Sequence, residues 1–205
     1  KHLFCGRRKE TLEALKYLGT QQDIAPEHIE GGEHFCRWLQ VEGNSGAGKS
    51  SLVNAGMLPL IEQGALWSRT NYSHWKILGP MMPGEKPLRR LAELLEHEFI
   101  SDDQAASRDT AYRYERLKAD SDALASRLRD FKMKDTAYLL VVDQFEELFT
   151  LVPNEAKRRN FLNVIYKALT VKGSRLRLIV TLRADFLDRP LQYSDWGELF
   201  RERTE

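Results

Sequence analysis

Residues Gly43-Asn44-Ser45-Gly46-Ala47-Gly48-Lys49-Ser50 read GNSGAGKS, a fit to G-x-x-x-x-G-K-S at every fixed position. The setting of this octet matters as much as its letters. Cys36 to Val41 upstream predicts a strand running into Gly43, and about Gly48 to Gln63 downstream predicts a helix. Glycines at such a strand-to-helix turn let backbone amides converge on a polyphosphate, and the helix start adds its partial positive charge. Lys49 brings a mobile cation for the terminal phosphates, and the Ser50 hydroxyl is a hard oxygen ligand for magnesium. Gly43 through Ser51 is therefore the expected phosphate-binding segment. A glycine-rich turn that binds nothing is the alternative, and it leaves the coincidence of eight positions with strand before and helix after unexplained.

Outward from the octet, strand and helix alternate. Residues 8 to 18 carry Leu12, Leu15 and Leu18 at helical spacing, and Trp75 to Leu78 reads as a short strand closed by Gly79, Pro80, Pro83, Gly84 and Pro87. Leu88, Leu91, Ala92, Leu95 and Phe99 then form one stripe of an amphipathic helix. Leu117, Leu124, Leu128 and Phe131 suggest another helix. Ala137 to Val142 is entirely apolar and ends in Asp143, the pattern of a parallel strand buried on both faces. Asn154 can cap a helix holding Phe161, Val164, Ile165, Ala168 and Leu169, which Gly173 ends, and Arg177 to Leu182 is a further strand. This alternation predicts an α/β fold, a parallel sheet with helices on both faces in three layers.

A chain of 205 residues without a low-complexity linker fits one domain over 1–205. Its 31 Lys and Arg against 30 Asp and Glu leave a net charge of +1. That balance speaks against nucleic acid or anionic membrane as partners held by bulk charge. Six residues, Ala137 to Val142, are the longest apolar run, against roughly 20 for a membrane span. Cys5 and Cys36 form no disulfide framework or zinc spacing, which fits a reducing, cytoplasmic setting. The histidines show no metal spacing, the basic triplets 7–9 and 157–159 read as solvated helix faces, and Trp67 and Trp75 read as core. The chain opens at Lys1 without a methionine and stops at Glu205 directly after a helical pattern, so it is expected to be a piece of a longer protein, shortened at its C-terminal side.

A magnesium-bound nucleotide needs a carboxylate at a neighbouring strand tip, and Asp143 stands at one. Hydrolysis needs a second carboxylate to polarise the attacking water. Glu146 and Glu147 are the candidates, with helix opening as the structural reading of either. Arg183 ends the strand Arg177 to Leu182 and would point into the ligand crevice; a salt bridge to Asp185 or Asp188 is its other reading. No NKxD or TKxD stands ready to read guanine, and no LSGGQ suggests a transporter ATPase.

Together these motifs resemble the STAND class, signal-transduction ATPases with numerous domains, and within it the NACHT-related group often joined to WD-repeat sensors. Phe4-Cys5-Gly6-Arg7 with Glu10 resembles its FxGR motif, and Ser45 to Pro59, SGAGKSSLVNAGMLP, its phosphate loop and trailing helix. Trp75, Pro83-Gly84 and Pro87-Leu88 are similar to its W...RPG..PL stretch. Leu140 to Phe149, LVVDQFEELF, is close to its Walker B segment, and Thr181 to Leu187, TLRADFL, to its sensor segment. The resemblance implies a P-loop NTPase fold with sheet order 5-1-4-3-2. Only four strands are legible before Glu205, so the fifth and a winged-helix part would lie beyond it, and Arg37 and Gln40 would leave the first strand partly exposed. It also implies a slow, magnesium-dependent ATPase that switches between ADP and ATP, controls oligomerisation, and has effector and sensor domains of the same protein as partners, in bacterial defence or death signalling. Lys49, Ser50 and Asp143 would hold phosphate and magnesium, and Arg183 would sense the γ-phosphate. Glu146 matches the acidic position of NACHT relatives better than Glu147, and Phe4, Gly6 and Arg7 would lie against adenine and ribose. A nucleotide-responsive scaffold with negligible hydrolysis is the second reading.

Overall fold

Four strands form one parallel sheet. The computed structural model describes residues 7–18, 37–70, 72–99, 110–130 and 135–201. Its strands are β1 (Trp38–Gly43), β2 (His74–Met81), β3 (Thr136–Val142) and β4 (Leu176–Arg183), in the order β1-β4-β3-β2. Every residue of β3 is buried, as its uninterrupted apolar sequence requires of an inner strand. Gly43 of β1 pairs with Arg183 of β4, and Val142 of β3 with Val180, so the strands' C-terminal ends lie along one edge.

The helices are α1 (Arg8–Tyr17), α2 (Lys49–Ser51), α3 (Leu58–Glu62), α4 (Trp67–Thr70), α5 (Pro87–Phe99), α6 (Thr110–Ala119), α7 (Ala123–Asp130), α8 (Glu147–Thr150), α9 (Glu155–Thr170), α10 (Asp188–Leu191) and α11 (Ser194–Arg201). Alternation along the strands sends side chains to two cores. On one face Leu140, Val142, Leu178 and Val180 meet Leu91 of α5, Leu124 of α7, and Phe161 and Ile165 of α9. On the other, Leu39, Val41, Val141 and Ile179 meet Leu15 of α1 and Val53, Met57 and Ile61 after the octet. This is the three-layer α/β/α arrangement of a P-loop NTPase. Among the described residues no helix is long and apolar enough to cross a membrane.

The expected elements differ from the observed ones in physically explicable ways. The helix after the octet is interrupted by a π-helical stretch, Leu52–Met57. Pro59 follows closely and cannot donate to the carbonyl four residues back, so the regular ladder has to shift. Gly79 and Pro80 do not close β2 but lie inside it, at a register shift between Leu78 and Met81. A Cβ on Gly79 would stand 2.7 Å from the Val141 carbonyl oxygen, at φ +109°; only glycine lets β2 pass β3 so closely. The single helix suggested by Leu117, Leu124 and Leu128 is two, broken where the Asp120 carboxylate accepts the Asp122 N–H at 2.8 Å; Phe131 lies outside the described residues. Trp67 is not core. Leu66, fully buried, takes the inward position, and Trp67 is 63% exposed on the short α4.

β1 is less exposed than its polar residues suggest. Trp38, Leu39 and Val41 are buried, with Trp38 edge-on to Trp196 at 6.4 Å between centroids. Arg37 reaches across to donate to the Leu169 and Val171 carbonyls at 2.8 and 3.3 Å, at the end of α9. Cys36, placed in this strand by its sequence, lies outside the described residues, as does Cys5.

Candidate nucleotide-binding site

The octet bridges β1 and α2 at the C-terminal edge of the sheet. Gly48 precedes α2 in the left-handed region, φ +78°, where a side chain would be strained. The turn is compact: Ala47 N–H donates to the Asn44 carbonyl at 3.2 Å. Lys49 folds back over it, its Nζ donating to the Gly43 and Asn44 carbonyls, each at 2.9 Å. An ammonium that spends its donors on loop carbonyls can hand them to phosphate oxygens without leaving its place.

Asp143 reaches the loop from β3, across β4 rather than from the strand paired with β1. Its Oδ1 accepts the Ser50 hydroxyl at 2.8 Å, the Thr181 hydroxyl at 2.5 Å and the Gln144 N–H at 3.1 Å. Gln144 follows in left-handed backbone, φ +54°, and also donates its N–H to Thr181 Oγ1 at 2.9 Å. A non-glycine residue in that region is held by its surroundings, and here these bonds do so.

The two glutamates diverge. Glu146 lines a cavity of about 400 Å³ together with Ser45, Gly46, Gly48, Lys49, Ser50, Ser51, Gln144, Thr181 and Arg183. Its Oε2 accepts the Arg183 backbone N–H at 3.3 Å. Glu147 does not border this cavity; its Oε2 accepts the Gly84 N–H at 2.9 Å, tying the start of α8 to the loop between β2 and α5. Thus Asp143, Glu146 and the octet come together, and Glu147 stands apart.

Arg183 lies at the cavity with its guanidinium held by Asp185, Nε to Oδ1 at 3.0 Å and Nη2 to Oδ2 at 2.7 Å. The side-chain hydrogen bond from Arg183, with a weaker pull from the Lys49 ammonium, keeps the Asp185 carboxyl below the usual aspartate range. Of the FxGR stretch, Phe4 and Gly6 lie outside the described residues. Arg7 stands beside the octet, its Nη1 donating to the Ala47 carbonyl at 2.9 Å and its Nε to Glu10 at 2.7 Å.

The sequence matches the family described as Novel STAND NTPase 1 over residues 1–205. The chain belongs to this family of NTPases.

A search of curated proteins gives no match for this STAND NTPase. Among solved structures it is similar to the ORC2 protein of Aeropyrum pernix, solved as ADPNP–ADP complexes, at 15% identity and a TM-score of 0.53. The likeness covers 98% of this chain and 45% of that one, so the STAND chain spans less than half of that protein's length. At this identity the shared property is the fold.

Two residues of the cavity stand outside the set that the sequence alone singles out for a role, Gln144 and Thr181. Their signals were modest: Gln144 directly follows the acidic strand tip, and Thr181 interrupts an otherwise apolar strand end. A wider hollow of about 540 Å³ lies between α6 and α9, lined by Lys118, Glu155, Arg159 and Asn160 among others. No residue of the octet borders it.

Proposed function

We propose that this STAND NTPase binds ATP and ADP at the octet, hydrolyses ATP slowly with magnesium, and works as a switch whose nucleotide state governs self-association and the effector and sensor parts of the same protein. The observation that supports it best is the convergence of Lys49, Ser50, Glu146 and Arg183 on one cavity, with Asp143 joined to it through the Ser50 hydroxyl. Adenine as the base is carried over from the adenine nucleotides of the ORC2 structure and from the absence of a guanine-reading motif.

The donor set fits magnesium. Ser50 Oγ and the Asp143 carboxylate, hard-oxygen groups joined at the loop by a hydrogen bond of 2.8 Å, are the residues that would hold it. Among the described residues no cluster of three or more His, Cys, Asp and Glu could bind a metal by itself. A magnesium site completed by substrate phosphates needs no such cluster. When bound, the ion neutralises charge on the β- and γ-phosphate oxygens.

Lys49 would exchange its loop carbonyls for phosphate oxygens, with the loop amides and the start of α2 completing the cradle. Glu146 would take the proton of a water attacking the γ-phosphorus, as a P–O bond forms to that water and the bond to the β-phosphate oxygen breaks. Arg183 would turn from Asp185 toward the γ-phosphate, so that the triphosphate competes with an existing ion pair. That competition gives the switch a local element with two positions. Phosphate release by the wild type and by Glu146→Gln tests the reading. Release that stops in the variant while ATP still binds supports it; equal release by both proteins would remove Glu146 from the mechanism, and negligible release by both would leave a nucleotide-responsive scaffold.

A further inference from the structure

β4 reads Leu-Arg-Leu-Ile-Val-Thr-Leu-Arg, and Thr181 is 1% exposed among apolar neighbours. Valine has almost the same shape and would satisfy the packing without a polar atom to desolvate. The hydroxyl must therefore be matched by specific bonds, and it is. Gln144 N–H donates to Thr181 Oγ1 at 2.9 Å, which leaves the single hydroxyl proton for Asp143 Oδ1 at 2.5 Å. The Thr181 backbone carbonyl also accepts the Phe145 N–H at 2.9 Å. One residue thus clasps the whole turn 143–145 from its side chain and its main chain.

The consequence falls on a single carboxylate. Oδ1 of Asp143 takes three donors, Ser50, Thr181 and Gln144, while Oδ2 takes none among the described residues. A carboxylate held by one oxygen from three directions cannot turn about its Cβ–Cγ bond, and its other oxygen keeps a fixed aim. We propose that Thr181 is a positioning residue for magnesium, fixing the rotation of Asp143 so that its carboxylate and the Ser50 hydroxyl face the ion together. This rests on Asp143 being the magnesium carboxylate. Partners that orient a metal's ligands typically change metal affinity by about 10- to 100-fold when removed.

The test is the affinity for ADP in magnesium divided by that in EDTA, measured by calorimetry on the wild type, Thr181→Val, Thr181→Ser and Asp143→Ala. The ratio should fall about 10-fold or more in Thr181→Val and stay near wild type in Thr181→Ser, which keeps the hydroxyl. Asp143→Ala should lower it at least as far. A Thr181→Val protein that weakens ADP equally with and without magnesium has lost packing alone, and that result overturns the proposal. An unaltered ratio in Asp143→Ala instead overturns the assignment of Asp143, and the role of Thr181 with it. If Thr181→Val does not fold, Thr181→Ala takes its place, judged by the same ratio.

Discussion

Ser50 donates its hydroxyl proton to Oδ1 of Asp143 at 2.8 Å, joining the octet to the end of β3 across the intervening β4. This bond makes the C-terminal edge of the sheet one connected unit. The loop comes from β1, the carboxylate from β3, and the threonine and arginine that flank them from β4. Each strand pair is fixed by its own ladder, so the side chains at their tips meet with little freedom left.

Glu146 and Glu147 are neighbours with different surroundings, the first at the cavity and the second bonded to the Gly84 N–H, and substitutions should separate their roles. Glu146→Gln is expected to lower phosphate release by about 100-fold or more, the usual share of a positioned base. Glu147→Ala strands the half-buried Gly84 N–H and should lower unfolding stability by about 1–2 kcal/mol. Its phosphate release per folded molecule should match the wild type. Denaturant titration beside a phosphate-release assay reads both, and a Glu147→Ala protein that is stable but inactive would reverse the assignment.

Arg183 and Asp185 should report on each other through pH. A carboxylate held below its ordinary value contributes stability above the unfolded-state value and loses it as pH falls through the folded one. The pair is therefore complete at neutral pH and opens only in acid. Carboxyl carbon shifts followed by NMR should place the Asp185 midpoint below the usual aspartate range. In Arg183→Ala the midpoint should move up, since the largest cause of the shift is gone; the same midpoint in both proteins contradicts the pairing.

Gly79 leaves no room for a side chain where β2 passes β3. An alanine there would put its Cβ 2.7 Å from the Val141 carbonyl oxygen and 2.9 Å from Met81 N, both backbone atoms that cannot swing aside. Gly79→Ala is expected to cost about 2 kcal/mol or more in unfolding stability. Urea unfolding measures this, and a midpoint equal to the wild type would mean that β2 runs farther from β3.

What the sequence reveals depends on how local the physics is. The octet, the apolar β3 run and the Asn154 cap are legible because each is set by neighbours in the chain; Asn154 Oδ1 accepts the Lys157 N–H at 3.1 Å, as its position implies. The sheet order is not local, and it came only from resemblance to a family. Gly79 and Pro80 read as a strand end because breakers usually are one, whereas here a close approach to β3, far along the chain, requires the glycine. Glu147 gave no sign of its partner Gly84, which lies on another loop. Thr181 looks like a strand residue until Asp143 and Gln144 are placed against it. Trp67 misled because its size argues for burial, while the turn before α4 gives the inward place to Leu66.

Calorimetric titration of the chain with ATP, ADP and GTP in magnesium, beside Lys49→Ala, probes the octet most directly. Adenine nucleotides should bind and GTP should bind more weakly. Lys49→Ala should lose about 10- to 100-fold in affinity, the worth of its charged hydrogen bonds to phosphate, while keeping its fold, because among the described residues Lys49 is bonded only to loop carbonyls. Binding of equal strength in the wild type and the variant would place the nucleotide somewhere other than the octet and overturn the reading of this site.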